Sequence, residues 1–388
     1  MEDLRIGVLG LGIRASLGRH AHRPGQGSRV VAVCDTDRRA LERGAEKLGF
    51  EEGWQAEGVL ATTERRDLLA AGLDAVLVLT PDHTHAELAV ELLEAGTPVY
   101  LEKPLAISVE DCDRILLAAR RTGTRLYVGH NMRHMPVVLL LRELIDRGEI
   151  GRVEAVWCRH FVGHGGDFYF KDWHADRRLS GGLLLQKGAH DLDVIHWLTG
   201  GYTRRVSAMG GLKVYGSITD RRDNRDRQMW DWFSEDNWPP TAQRELNPVV
   251  DVEDLSMMLM ELDNGVHASY QQCHFTPDYW RNYTVIGTEG RLENFGDGPG
   301  GVVRLWNRRT GYRPDGDASF AIPEGEGGHA GADTAIMAEF LRYVRDGGET
   351  LTSPVAARQA VAAGVTATRS LREGGTPLEV PPLPDGLT

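Results

Sequence analysis

The stretch Arg5-Ile-Gly-Val-Leu-Gly10-Leu-Gly12-Ile-Arg-Ala15 decides how the rest of the chain is read. Leu4, Ile6, Val8 and Leu9 form a short apolar run, and the glycines that follow lead into a helix start, so the order is strand, turn, helix. A diphosphate needs main chain free of side chains, together with the N–H groups that open a helix. Gly10 allows the tight turn and Gly12 the close approach, and Ala15 is small enough for helix to lie on strand.

Glycine turns of this kind also occur without a ligand. The second signal is residues 30–35, Val-Val-Ala-Val-Cys-Asp, an apolar strand ending in an acid about twenty residues after the turn. A carboxylate there accepts both ribose hydroxyls of an adenosine and repels a 2′-phosphate, so Asp35 favours NAD. Arg38 and Arg39, just beyond, are placed to answer a phosphate and keep NADP open.

Hydrophobic residues make up 41% of the 388 and charged residues 26%, which suits a two-domain globular protein and excludes a disordered chain. The formal net charge of −12 disfavours a nucleic-acid partner. Cys34, Cys112, Cys158 and Cys273 are far apart and form no CxxC pair, which argues against a zinc ribbon or disulfide framework and for a reducing cytoplasm. The opening residues run straight into the first strand, leaving no room for a signal peptide, and no run reaches the length of a membrane span.

Further strands are expected at 73–80, 97–102 and 125–129, separated by helical patterns such as 86–95. Near-continuous Val and Leu imply burial on both faces, as in a doubly wound parallel sheet whose ligands sit off the strand C-termini. Those ends carry Thr80-Pro81-Asp82-His83-Thr84-His85, Glu102-Lys103-Pro104 and Gly129-His130-Asn131-Met132-Arg133. The first domain is set at 1–133.

From 134 to 388 the pattern is that of an α+β domain with a mostly antiparallel sheet. Strands are expected at 153–161, 255–262, 266–275, 281–286, 291–295 and 302–306, with an Asp263-Asn264-Gly265 hairpin turn. Helices are expected at 189–198, 333–345 and 356–372, the last two free to pack back on the first domain. Residues 216–250 form a long polar loop in which Trp230, Trp232 and Trp238 suit docking on a sugar, on a neighbouring subunit or on the loop's own domain.

Taken together, Gly10-Leu-Gly12, Asp35, Thr80-Pro81 with His85, Glu102-Lys103-Pro104, Asn131 with Arg133, Gly181-Gly182 leading to His190 and Asp193, and Gly287-Thr-Glu-Gly290-Arg-Leu-Glu293 resemble the Gfo/Idh/MocA family of glucose-fructose oxidoreductase, inositol dehydrogenase and rhizopine catabolism. The resemblance covers nearly the whole length, in family order. It implies a nicotinamide-dependent oxidoreductase acting on a sugar, glycoside or cyclitol. Cofactor contacts are then expected from Gly10, Gly12, Ile13, Arg14, Asp35, Arg39, Thr80, Pro81, His83, His85, Glu102, Lys103 and Asn131. The lysine of Glu-Lys-Pro in such enzymes lies beside the nicotinamide, and a histidine opening the second domain's helix completes a proton relay; by position these are Lys103 and His190.

Oxidising a secondary alcohol requires its hydroxyl proton to leave as the C–H bond breaks, so a base must stand within reach and a cation helps the developing alkoxide. Lys103 can supply the cation and His190 the base. Where many relatives place an aspartate four residues before the histidine this chain has Gln186, followed by Lys187, a second candidate base. Arg133, Tyr169, Trp173, His174, Asp193, Lys103 and His190 are expected to line the substrate pocket, the 168–174 stretch having the aromatic and polar make-up of a carbohydrate site.

Two other functions stay open: tightly held NAD used transiently for redox-neutral glycoside cleavage or epimerisation, and a cofactor-bound sensor without catalysis. His160, His164, Asp167, Asp172, His174, His190, Asp191 and His329 show no metal-ligand spacing, and no metal is expected. The uncovered face of the second sheet is expected to form a homodimer or homotetramer, as the resemblance implies.

Overall fold

A computed structural model describes residues 2–325 and 328–387, with side chains at 328 and 329 left aside; His329 therefore lies outside the described residues. Six strands, β1 (Leu4–Leu9), β2 (Ser28–Cys34), β3 (Leu60–Thr62), β4 (Ala75–Val78), β5 (Val99–Glu102) and β6 (Leu126–Gly129), form a sheet in the order β3-β2-β1-β4-β5-β6. Every pairing in it is parallel.

Its two faces follow from strand alternation. Ile6, Val8 and Leu77 pack with Ala40, Ala45 and Leu48 of the helix Arg38–Leu48. Leu9, Val76 and Val78 face the helices His85–Glu94 and Val109–Thr122. Local chemistry sets the helix ends: Asp37 and Ser108 cap the N–H groups of Arg39 and Asp111, while Gly49 and Gly123 close the last turns at φ +86° and +69°.

The second sheet has nine strands. They are β7 (Val153–Phe161), β8 (Thr203–Gly211), β9 (Leu255–Leu262), β10 (His267–Cys273), β11 (Trp280–Gly287), β12 (Arg291–Phe295), β13 (Val302–Trp306), β14 (Ala318–Ala321) and β15 (Leu378–Glu379), in the order β14-β13-β12-β11-β7-β10-β9-β8-β15. All pairings are antiparallel except β10 with β7. One face is covered by the helices Gly188–Thr199 and Pro354–Arg372; the other leaves Trp157, Met209, Met257 and Leu259 exposed.

The end of the chain returns to the first sheet. Ile336, Met337 and Phe340 of the helix Ala332–Asp346 are fully buried in one cluster with Ile6, Val8 and Leu11. Removing the Phe340 ring from such a site costs about 3–5 kcal/mol. The helix Pro354–Arg372 lies between the sheets: Ala357 and Val361 join the first core, Ala360, Ala363 and Ala367 the second, and small side chains permit the close approach on both sides.

Candidate active site

The glycine turn has the shape a dinucleotide requires. Gly10 sits at φ +96°, and a Cβ there would meet the Leu79 carbonyl at 2.8 Å. Around Gly12 nothing lies within 4 Å of a Cβ position, so the turn opens onto free space just before the short 3-10 helix Ile13–Leu17. This is a cradle that a side chain would fill and a diphosphate fits. Asp35, at the end of β2, accepts from the Leu11 N–H (2.7 Å) and the Asp37 N–H (2.9 Å), placing a carboxylate beside the turn where the adenosine ribose would lie.

Lys47 braces the turn from below, donating to the carbonyls of Leu11 (3.0 Å) and Gly12 (3.1 Å) and also to Gln228 Oε1 (2.6 Å). The 216–250 loop therefore reaches across to the first domain. Arg43 pairs with Asp231 (3.0 Å), and Arg39, half exposed, bonds the Asp37 carboxylate and the Arg225 carbonyl. Trp232 is buried with its indole N–H on the Asp167 carbonyl, while Trp230 and Trp238 are exposed. The loop docks on both domains at once.

The other strand ends converge on a crevice between the sheets. His85 is buried, its ring nitrogens facing the carbonyls of Pro104 (2.8 Å) and Thr80 (3.0 Å), so it ties the β4 and β5 loops together. Thr80 Oγ1 accepts from Thr84, and Pro81 leads into the turn carrying His83, whose ring meets Trp173 edge-on. Glu102 accepts from Arg14 (2.7 Å) and from the Lys103 N–H (2.8 Å); Arg14 also reaches Asp333. Asn131 donates to Asp333 (3.0 Å), and its buried Oδ1 has no partner among the described residues and is able to accept from a carboxamide.

Lys103 extends from β5 to the opposite wall, where its Nζ donates to the Gln186 carbonyl at 3.0 Å. Burial lowers its pKa to about 8, with Asp82 opposing and Lys187 adding to the shift. Lys187 is lowered to about 7 by burial and by Arg281; its ammonium lies over the rings of Tyr169 (5.6 Å) and Tyr279 (5.9 Å). His190 is held well below the usual histidine range by burial and by the charges of Lys103 and Lys187, so it is neutral, and its buried Nδ1 has no partner among the described residues. A neutral imidazole and two easily deprotonated amines can move a proton at this place.

Arg133 and Asp193, expected as substrate contacts, are spent on each other. The guanidinium grips the carboxylate at 2.8 and 2.7 Å and also bonds the Leu351 carbonyl. Asp193 Oδ2 also stands 3.7 Å from His130 Nδ1. Trp173 stacks on His174 (3.7 Å between centroids), His174 bonds Asp172 (2.6 Å), and Tyr169 meets His174 edge-on.

Sequence reasoning missed what lies beneath this site. Asp191, weighed only as a metal-ligand type, is fully buried and accepts from Tyr283 (2.5 Å), Tyr270 (3.0 Å) and Arg281 (3.1 Å), with His160 Nδ1 at 3.2 Å. Burial opposes its ionisation, but Arg281 and His160 hold it well below the usual carboxylate range. Asp82, quoted within the first strand end but given no role there, is buried near Lys103 with its Oδ2 unpartnered among the described residues, and burial raises its pKa. Alternation along β7 marks His160 as an inward residue, but nothing in the sequence ties it, Tyr270 or Tyr283 to Asp191. No group of three His, Cys, Asp or Glu that could hold a metal occurs among the described residues.

A glycine cradle with an acid beside it, and a lysine from the same sheet reaching toward the segment that carries His190, is the arrangement of an NAD-binding Rossmann domain facing a second domain. Residues 4–130 match the oxidoreductase family described by that NAD-binding Rossmann fold, and residues 138–293 match the GFO/IDH/MocA C-terminal domain. The chain belongs to the Gfo/Idh/MocA family, whose members are NAD(P)-dependent sugar and cyclitol oxidoreductases.

Among relatives, inositol 2-dehydrogenase 1 of Saccharopolyspora erythraea is 33% identical over 207 residues, 53% of this chain and 57% of that protein. The 2,7-anhydro-N-acetylneuraminate hydratase of Mediterraneibacter gnavus is 29% identical over 254 residues, 62% and 64% of the two chains. The chain thus matches less than two thirds of the length of either. In fold it resembles levoglucosan dehydrogenase bound to NADH and levoglucosan, with a TM-score of 0.77 and 20% identity over 98% of this chain and 100% of that one.

Proposed function

We propose that the protein oxidises a secondary alcohol of a ring polyol, a sugar, glycoside or cyclitol, with NAD as the acceptor. The observation that carries this is the reach of Lys103 across the crevice to Gln186, beside a neutral His190 whose Nδ1 is free. Bound at the glycine cradle, NAD supplies the hydride acceptor. Lys103 donates a hydrogen bond to the reacting oxygen and offsets the negative charge that develops there. His190 takes the hydroxyl proton, and Lys187 is the second group able to do so. Gln186 holds Lys103 through its carbonyl, while its buried Oε1, which has no partner, accepts from a substrate hydroxyl. Tyr169, Trp173 and His174 form the aromatic side of the pocket.

Similarity to inositol 2-dehydrogenase and to levoglucosan dehydrogenase supports a cyclic polyol. The test is a panel of inositols, pyranoses and pyranosides with NAD and with NADP, read as reduced-nicotinamide absorbance. Oxidation of none of them defeats the reading. Similarity to a hydratase supports a second one, transient oxidation with no net redox change. Product formation from a glycoside without accumulation of free NADH marks that case.

The exposed apolar face of the second sheet supports a homo-oligomer. Trp157 and Leu259 stand in register on either side of Ser269 and are 55% and 67% exposed. Sedimentation at micromolar concentration tests it; a monomer contradicts it. The free cysteines accord with a cytoplasmic protein.

A further inference from the structure

Lys187 is a largely enclosed amine, and in its protonated form no described residue bonds it as a counterion. Its ammonium makes no hydrogen bond or ion pair with any described residue and rests between the faces of Tyr169 and Tyr279. The carboxylates nearest to it are taken. Asp191 is engaged by Arg281, Tyr270 and Tyr283, and Asp297 accepts the Arg281 N–H at 3.0 Å. Aromatic faces hold an ammonium less strongly than a carboxylate does in a site withdrawn from water.

Close enough to feel its charge are His190, His160 and His274, and Gln186 precedes it in the chain; Gln186 Oε1, His190 Nδ1, His160 Nε2 and both ring nitrogens of His274 are buried without a partner among the described residues. Such atoms are costly unless something fills them, and a polyhydroxylated molecule supplies both donors and acceptors. Among the cations gathered here, Arg281 is paired with Asp191 at 3.1 Å and Lys103 has Asp82 close by, whereas Lys187 has no bonded carboxylate among the described residues.

We propose that the substrate is a sugar acid, and that its carboxylate docks on Lys187 while its hydroxyls meet the unpartnered atoms around it. This deepens the dehydrogenase reading and rests on it, since the same crevice presents the reacting carbon to Lys103 and His190. An arriving carboxylate keeps Lys187 protonated, which leaves His190 as the proton acceptor.

The test is binding to the NADH-loaded protein, followed by nicotinamide fluorescence, for glucuronate, galacturonate and mannuronate, each against its neutral pyranose. At least one uronate is expected to bind tenfold or more tighter than its neutral partner. Lys187→Met is expected to remove that difference and Lys187→Arg to retain it, with NADH affinity as the measure that each variant is folded. Equal affinities throughout, or a preference for the acid that survives in Lys187→Met, overturn the proposal. Oxidation of the same ligands by NAD is followed separately: tight, Lys187-dependent binding without hydride transfer keeps the acid site and defeats the dehydrogenase reading instead.

Discussion

The ammonium of Lys103 lies 3.0 Å from the main-chain carbonyl oxygen of Gln186, a contact that joins the end of β5 to the last residue of the short helix Leu183–Gln186. That hydrogen bond holds the extended reach of the lysine. Lys103→Met removes the donor to the reacting oxygen without touching the glycine cradle. The expected loss in kcat/KM is about 10²–10³-fold, with NADH affinity within a few-fold of the parent. Full activity in this variant on an oxidised substrate defeats the assignment.

Burial sets the direction of the pH profile. Lys103 must be protonated to offset charge on the oxygen, and its pKa is lowered to about 8, so kcat/KM is expected to fall as pH rises through about 8. Lys103→Arg, which stays charged, moves that limb beyond the accessible range in whatever activity it retains. A profile of the parent that is flat from pH 7 to 10 contradicts this.

Asp35 closes the glycine turn through Leu11 and faces the ribose position. Asp35→Ala therefore weakens NAD binding by about tenfold, the worth of roughly 1.4 kcal/mol. It narrows the preference over NADP by relieving repulsion of the 2′-phosphate. Unchanged discrimination in competition binding places the cofactor choice elsewhere.

The link from Lys47 to Gln228 holds the long loop over the glycine turn. Gln228→Ala is expected to raise the NADH dissociation rate several-fold in stopped-flow chase experiments, with little change in thermal stability. An unaltered off-rate shows that the loop does not restrain the cofactor.

Acid stability follows from His160 and Asp191. Burial and Arg281 lower His160 to about 3, so between there and about 6.5 the unfolded chain binds a proton that the folded chain does not. Stability on that account rises with pH across this window, by up to about 1.4 kcal/mol per unit. The stabilisation from ionised Asp191, whose folded pKa is depressed, is present above about 3.9 and is lost below it. His160→Gln is expected to flatten the urea-denaturation slope between pH 6.5 and 4; an unchanged slope assigns it to other groups.

Much of the first domain was legible because its signals are local. Gly10, Gly12 and Asp35 lie within one strand-turn-helix-strand unit, and Glu102-Lys103-Pro104 marks a strand end. The strands β7, β9, β12 and β13 fall where alternation and turn residues put them. Less was legible where partners are distant. Arg133 and Asp193 are sixty positions apart and each alone reads as a pocket residue. Asp191 collects its partners from three strands, which no spacing reveals. β3 is a three-residue edge, and β8 carries two arginines and two terminal glycines, so neither has the apolar run that announces a strand.

The helix Ala332–Asp346 completes the layer over Ile6, Val8 and Leu11. During synthesis the nucleotide-binding sheet leaves the ribosome long before the segment that seals it. Its apolar side must wait uncovered through the translation of some two hundred residues, about 10–40 s at ordinary elongation rates. An isolated N-terminal third is accordingly expected to be a client for chaperones, and nucleotide affinity to be acquired only after the polypeptide is released.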